Sequence, residues 1–395
     1  MNSRIYILFL LLFPSLHSFA QFTLRIEITA TPSTHKEDGV FAAGNFNGWK
    51  PGDNQYRFSK EHDKLVLEIK NLSADTYQFK FTRGDWQKVE STNSGIDVEN
   101  KTVKLVADST VQYAVAGWKD DHVAPKKHTA SANVHVLDTA FFIPQLDRKR
   151  RIWIYLPKGY IESKKHYPVM YLQDGQNLFD ELTSAFGDEW GVDECLDSLI
   201  AKGKPASIVV GIDNGGATRM NEYNPYEFIW KDSTTTKTFA PQGDEYLRFM
   251  VKTLKPFIDK HYRTLSSKDN TIIAGSSMGG LIAYYAAIKY PGVYGKAGIF
   301  SPAFWTAPHI NELTDSVTNK LTGKFFFYIG EKEGKSFVED MTQLAEKLGT
   351  NSDAMIYTLI DAEGKHQENA WRKWFAEFYV WMMANGYNNV IKLEE

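Results

Sequence analysis

The run in this sequence best suited to chemistry is Gly275-Ser-Ser277-Met-Gly279. The β-branched stretch Thr271–Ala274 precedes it and the alanine-rich stretch Leu281–Lys289 follows it. A serine at such a strand-to-helix turn sits on a nucleophile elbow. There the strained backbone lifts the hydroxyl above the sheet, and the flanking glycines let strand and helix pack closely. The G-x-S-x-G spacing centres the motif on Ser277 and leaves Ser276 at a filler position. The chemistry this implies is acyl transfer through a covalent ester on serine.

A serine hydroxyl is a poor nucleophile until a base takes its proton, and histidine is the usual base. On an elbow of this kind the chain order is serine, acid, histidine. Only His309 and His366 follow Ser277, and no Asp or Glu lies between Ser277 and His309. His366, in Glu363-Gly-Lys-His366 after the last strand-like run, meets the order. The acid has to hold the imidazole in one tautomer and stabilise the imidazolium. Gly330-Glu331-Lys332-Glu333-Gly334 follows the strand-like Phe325–Ile329 and offers two carboxylates. A reverse turn opening at Gly330 brings the third residue after it back to the sheet edge, which favours Glu333 over Glu331. Asp361 is a further candidate because it lies close to His366 in sequence. The tetrahedral intermediate needs two backbone N–H donors. Met278 supplies one, and the loop Asp174-Gly-Gln-Asn177 the other, with Gln176 the first choice.

Four residues are candidates to contact substrate. Arg219, Glu222 and Tyr223 lie in a long polar loop, and Trp305 follows the strand-like Lys296–Phe300. The basic run Arg148-Lys-Arg-Arg151 reads as a solvated face. No His/Asp/Glu cluster has the spacing of a metal site, so neither metal nor cofactor is expected.

The elements that must position these groups follow from periodicity. From residue 133 strand-like runs (Arg151–Leu156, Tyr167–Gln173, Ser207–Ile212, Thr271–Ala274, Lys296–Phe300, Phe325–Ile329, Met355–Ile360) alternate with helical ones (Val192–Lys202, Tyr246–Tyr262, Leu281–Lys289, Phe337–Leu348, Ala370–Ala384). That alternation predicts right-handed βαβ units, a mostly parallel sheet and an α/β-hydrolase fold, with the site at the carboxyl ends of the strands. Residues 22–118 instead show short period-two runs separated by Gly, Asn, Asp and Pro clusters, the pattern of a small all-β, immunoglobulin-like sandwich. Residues 119–132 are polar and read as a linker. The expected divisions are therefore 1–20, 21–118, 119–132 and 133–395.

With 395 residues the chain is long enough for two cores. It is 43% hydrophobic and 24% charged with a formal charge of −3, a globular composition, and the absence of a long basic block argues against nucleic acid as a partner. Residues 1–20 carry one basic side chain, the apolar run Ile5–Phe13, and small residues at Ser18 and Ala20. This is the layout of a secretory signal peptide, so a secreted or periplasmic protein with no membrane span after cleavage is expected. Cys195 is the single cysteine, which rules out an intramolecular disulfide. It falls in an apolar helical pattern and reads as buried and inert.

From about residue 134 to 385 the chain resembles the "putative esterase" family, which takes in esterase D, feruloyl and acetylxylan esterases, enterochelin esterases and mycolyltransferases. The resemblance rests on Leu-Gln-Asp-Gly-Gln-Asn-Leu-Phe179, the Gly-Ser-Ser-Met-Gly-Gly280 elbow, Gly-Glu-Lys-Glu-Gly334 and Gly-Lys-His-Gln-Glu-Asn-Ala-Trp371. It implies a metal-independent serine esterase whose acid is an Asp or a Glu, which suits Glu333. The N-terminal region resembles starch- and glycogen-binding sandwich modules through Gly44-Asn-Phe-Asn-Gly-Trp49 and the stretch Tyr77–Trp86. That resemblance implies that Trp49 and Trp86 stack on sugar rings, with Glu90 nearby. Together these readings predict hydrolysis of acetylated or feruloylated carbohydrate, with possible polysaccharide binding through the sandwich. The alternatives are another ester such as a siderophore lactone, or a sugar-binding protein with an inactive hydrolase domain.

Overall fold

The computed structural model describes residues 21–122, 127–185, 187–231, 236–317, 321–384 and 390–394. The signal-like segment 1–20 lies outside the described residues. The described chain forms two compact units, residues 21–122 and the residues from 127 onward. Among the described residues no helix is long and apolar enough to cross a membrane.

In the N-terminal unit, Phe22–Ala30 pairs antiparallel with Lys64–Leu72 and parallel with Ser109–Ala114. A second sheet joins Phe41–Gly44, Asp75–Thr82 and Lys101–Leu105. Alternation directs Leu24, Ile26 and Ile28 from the first sheet, and Phe79 and Phe81 from the second, into one buried core with Trp118. The chain leaves this unit through a short 3-10 turn, Lys119–His122.

The C-terminal unit is built on a nine-stranded sheet among the described residues. Its strands are β1 (Val134–Ile143), β2 (Arg148–Tyr155), β3 (Val169–Gln173), β4 (Ile208–Ile212), β5 (Thr271–Ser276), β6 (Lys296–Phe300), β7 (Thr322–Gly330), β8 (Asp353–Asp361) and β9 (Val390–Glu394), in the order β1-β2-β4-β3-β5-β6-β7-β8-β9. β2 is antiparallel to β1 and to β4, and the remaining pairs are parallel. Both faces are covered. Ile273 of β5 enters one core while its neighbours Ile272 and Ala274 enter the other, and Phe325 and Phe327 of β7 face opposite to Phe326 and Tyr328. Each such side chain contributes roughly 1.5–3 kcal/mol on burial. Four helices matter to the site: α1 (Val192–Ala201), α2 (Met278–Lys289), α3 (Lys335–Asn351) and α4 (Glu368–Met383). α2 is buried around its whole circumference from Met278 to Ala287, so its sequence is apolar throughout rather than striped. α3 is striped, burying Met341, Leu344, Ala345 and Leu348.

The structure departs from the sequence reading at several places. The helix expected over Tyr246–Tyr262 is broken into Gly243–Phe249 and Lys255–His261 by a π-turn over Met250–Leu254. Pro256 follows directly and has no N–H to continue an unbroken ladder. Part of the expected linker is fixed in place: Thr129 N–H and Oγ1 bond to Asp180 and Glu189, Ser131 N–H to Asp193, and Asn133 to Asp197. Backbone N–H groups and polar side chains there therefore donate to the acidic residues in and before α1. Its residues 123–126 lie outside the described ones. Phe228–Lys231 also pairs antiparallel with Thr236–Phe239, a two-stranded element that the sequence reading did not anticipate. Cys195 is half-buried on α1, and burial pushes its thiol up to about 11, in keeping with an inert side chain.

Candidate active site

β5 ends at Ser276, and the backbone turns at Ser277 with φ 58° and ψ −121° before α2 begins at Met278. A positive φ costs a β-carbon-bearing residue energy, so this turn persists only because its surroundings fix it. Ser277 N–H donates to the Phe300 carbonyl at 2.9 Å, and its own carbonyl accepts from Ala303 N–H at 3.0 Å. The flanking glycines are required by contact: a β-carbon on Gly275 would lie 2.8 Å from the Gly279 backbone, and one on Gly279 would lie 3.0 Å from the Gln173 side chain.

His366 lies in the loop between β8 and α4, and Glu333 closes a 3-10 turn after β7. These two loops are pressed together. A β-carbon on Gly330 would collide with the Gly364 carbonyl, and Lys332 N–H donates to that same carbonyl at 3.1 Å. His366 Nδ1 is 2.7 Å from Glu333 Oε2. Glu333 Oε1 accepts from Gly330 N–H at 2.9 Å and from the Ser301 hydroxyl at 2.6 Å. A carboxylate here can only accept, so Nδ1 carries the proton and Nε2 is left as the base. The Glu333 side chain is 4% exposed and that of His366 is 47% exposed, so the acid is shielded while the imidazole reaches solvent.

Ser277, Glu333 and His366 line one cavity of about 230 Å³ with Ser301, Pro302, Ala303, Trp305, Ile329 and Phe337. No Lys or Arg is among them. The other acid candidates stand apart: Glu331 is exposed, and Asp361 accepts from Trp374 Nε1 and Lys373. The pairing with Lys373 and Trp374 keeps the Asp361 carboxyl below its usual range despite burial. Met278 opens α2, where the first N–H groups have no acceptor within the helix. Gln176 sits in the 3-10 turn Gly175–Asn177 immediately after β3. That turn is tied to the start of α4, two residues after His366, by Asn177 Nδ2 donating to Glu368 Oε1 at 3.1 Å.

Of the four substrate-contact candidates, the structure puts one in the cavity wall. Trp305 is 47% exposed, and Trp230 of the two-stranded element meets it edge-on at 5.4 Å. The other three do not line the cavity and have partners within the fold. Glu222 is fully buried and pairs with both Arg148 and Arg150, so that part of the basic run is not a solvated face. Arg151 pairs with Asp213. Tyr223 is fully buried against Tyr246. Arg219 forks onto Asp174, whose backbone turns at φ 57° to start the Gln176 loop.

One acidic cluster escaped the sequence reading because its members are linked by folding rather than by motif spacing. Glu189, Asp193 and Glu194 each bring one oxygen within 4.8 Å of the others. Burial pushes both Glu189 and Asp193 up to about 7. None of the three lines the cavity. In the N-terminal unit, Trp49 and Trp86 form a tilted pair with ring centroids 6.3 Å apart, and Trp86 is 40% exposed. Glu90 is buried and paired with Lys101, which removes it from that surface.

Residues 143–382 match the protein family described as "Putative esterase". The chain is 24% identical over 258 residues to an endo-1,4-beta-xylanase/feruloyl esterase of Xylanibacter ruminicola, covering 64% of this chain and 32% of that protein. It is 31% identical over 173 residues to an iron(III) enterobactin esterase of Dickeya dadantii, covering 43% of this chain and 34% of the other. It thus spans about a third of the length of each of these relatives. Among solved structures it is similar to the enterobactin esterase FES of Shigella flexneri, with a TM-score of 0.51 and 15% identity over 92% of each chain, a likeness of fold.

Proposed function

The chain belongs to the "Putative esterase" family and is a carboxylic ester hydrolase, and we propose that it removes acetyl or feruloyl-type groups from carbohydrate through an acyl-enzyme on Ser277. The observation that carries this reading is the Glu333–His366 pair standing in the same cavity as a positive-φ serine. In the proposed cycle His366 Nε2 takes the Ser277 proton as Oγ attacks the ester carbonyl. Glu333 stabilises the imidazolium, and the N–H groups of Met278 and Gln176 receive the oxyanion. The imidazolium then protonates the departing alcohol. Water, deprotonated by the same imidazole, releases the acid and restores Ser277.

Two features support the substrate class. The cavity is walled by Trp305 and Phe337, with Trp230 behind Trp305, and such walls suit a flat acyl group. We read the N-terminal unit as an immunoglobulin-like, glycan-binding sandwich with Trp49 and Trp86 as its stacking surface. The relative from Xylanibacter ruminicola, named for both xylanase and feruloyl esterase, favours a plant-polysaccharide ester. Secretion or periplasmic export joins the same proposal through the signal-like residues 1–20.

The likeness to an iron(III) enterobactin esterase favours a second reading, hydrolysis of a siderophore lactone. A cavity lined by no Lys or Arg weighs against an anionic iron complex as its occupant. Parallel assays on p-nitrophenyl acetate, methyl ferulate, acetylated xylan and a catecholate trilactone separate the readings. Turnover of the trilactone alone would replace the first reading with the second.

A further inference from the structure

Glu333 needs more than its bond to His366 to act as an orienting acid, because a glutamate has three side-chain torsions to fix. The deeper oxygen supplies the fixing. Glu333 Oε1 accepts a backbone N–H from Gly330 and the hydroxyl of Ser301. Ser301 is itself an acceptor, taking the indole N–H of Trp371 at 2.9 Å. A hydroxyl has one proton. With a donor already on its oxygen, Ser301 directs that proton at Oε1, so the Trp371–Ser301 arm and His366 donate to the Glu333 carboxylate from opposite ends.

The arm behind the acid is buried: Ser301 is 2% exposed, Trp371 is 4% exposed and the Glu333 side chain is 4% exposed. Ser301 sits just past β6, between the strands that carry the nucleophile and the acid, in a left-handed conformation with φ 43°. Its N–H donates to the Tyr328 carbonyl of β7 at 2.7 Å, which anchors it to the acid's own strand. Trp371 also places its ring edge-on to His366 at 5.2 Å.

We propose that Ser301 is a positioning residue for the acid arm, holding Glu333 so that Oε2 alone is presented to His366. The proposal rests on the Ser277–His366–Glu333 reading. Its test compares full-length Ser301→Ala, Trp371→Phe, Glu333→Gln and the Ser301→Ala/Glu333→Gln double variant, with kcat, KM and Tm measured on p-nitrophenyl acetate. Ser301→Ala should lower kcat by about tenfold to a hundredfold with KM nearly unchanged. Trp371→Phe keeps the ring but removes its N–H, so it should give a smaller fall in the same direction. The double variant should be no slower than Glu333→Gln alone, since Ser301 acts only through Glu333. Ser301→Cys, which keeps a weak donor, should recover part of the loss.

Unchanged kcat in Ser301→Ala, or losses that multiply in the double variant, would overturn the proposal while leaving the triad intact. Full activity in Glu333→Gln would remove the triad reading and this proposal with it. If Ser301→Ala fails to fold, Trp371→Phe and Ser301→Cys decide: wild-type kcat in both overturns the proposal.

Discussion

Arg219 grips Asp174 with two parallel hydrogen bonds, Nε to Oδ1 at 2.7 Å and Nη2 to Oδ2 at 2.8 Å. Asp174 is buried and opens the turn that holds Gln176, and Asn214 Nδ2 adds a third bond to it at 2.7 Å. The fork therefore fixes the start of the turn that carries Gln176.

Removing it should cost both stability and rate. Arg219→Ala leaves a buried carboxylate without its cation, a loss of about 3–5 kcal/mol for a fully buried pair. The Arg219 side chain is 23% exposed, so roughly 2 kcal/mol is expected, with kcat falling as the Gln176 loop relaxes. Arg219→Lys should rescue little, because an ammonium cannot form the fork. Thermal unfolding and ester turnover check this, and a wild-type Tm in Arg219→Ala would refute it.

Ser277→Ala should lower esterase activity by at least about 10⁴-fold. Ser276→Ala should keep most of it, because the Ser276 side chain has no role in the proposed cycle. A serine-directed fluorophosphonate followed by peptide mapping should mark Ser277 alone, and a label on Ser276 would refute the assignment.

Glu333→Gln should reduce kcat by on the order of 10³–10⁴-fold with little change in Tm, since the amide can still accept from Gly330 N–H. Glu331→Gln should be close to wild type, as its side chain points to solvent. Steady-state kinetics on both variants decide between the two acids; the reverse ranking would make Glu331 the acid.

The acidic cluster beside α1 gives stability a pH dependence. Burial raises Glu189 from 4.5 and Asp193 from 3.8, each to about 7. Between those limits the folded protein holds protons that the unfolded chain has released, so stability must fall as pH rises through the window. Tm should therefore drop between about pH 4 and pH 7. Glu189→Gln, which needs no proton, should flatten that slope. An unchanged slope in the variant would show that Glu189 does not hold its proton.

Replacing Trp49 and Trp86 together by Ala should weaken glycan binding. At about 1 kcal/mol for each stacking contact the affinity falls by roughly tenfold or more. Electrophoresis through gels containing starch, glycogen or xylan reads this directly, with an unaltered Tm as the check on folding. Equal mobility of wild type and variant in every gel would end the glycan-binding reading.

The elbow was legible in the sequence because all its parts are neighbours: a β-branched strand, two glycines and an apolar helix within Thr271–Lys289. That Glu333 rather than Glu331 meets His366 depends on a five-residue turn and so is equally local. What escaped was set by distance or by exposure. Glu222 looked like a loop carboxylate because its partners Arg148 and Arg150 lie 74 and 72 residues away. Strand β1 was missed because it is an edge strand, and of its ten residues only Phe141 and Ile143 are buried, so it carries little apolar alternation. Ser301 carries no local mark, since its importance comes from residues 32 and 70 positions away.

The half-buried Cys195 has a practical consequence. Maleimides react with thiolate, and a thiol pushed up to about 11 is almost wholly protonated at neutral pH. As it is the only cysteine, the chain is already a quiet background for site-directed labelling. A cysteine introduced at Ile96 in the N-terminal unit, 66% exposed, or at Leu182 in the C-terminal unit, 53% exposed, would take a fluorophore while Cys195 stays silent. Each unit can thus report its own unfolding as a separate optical signal from one polypeptide.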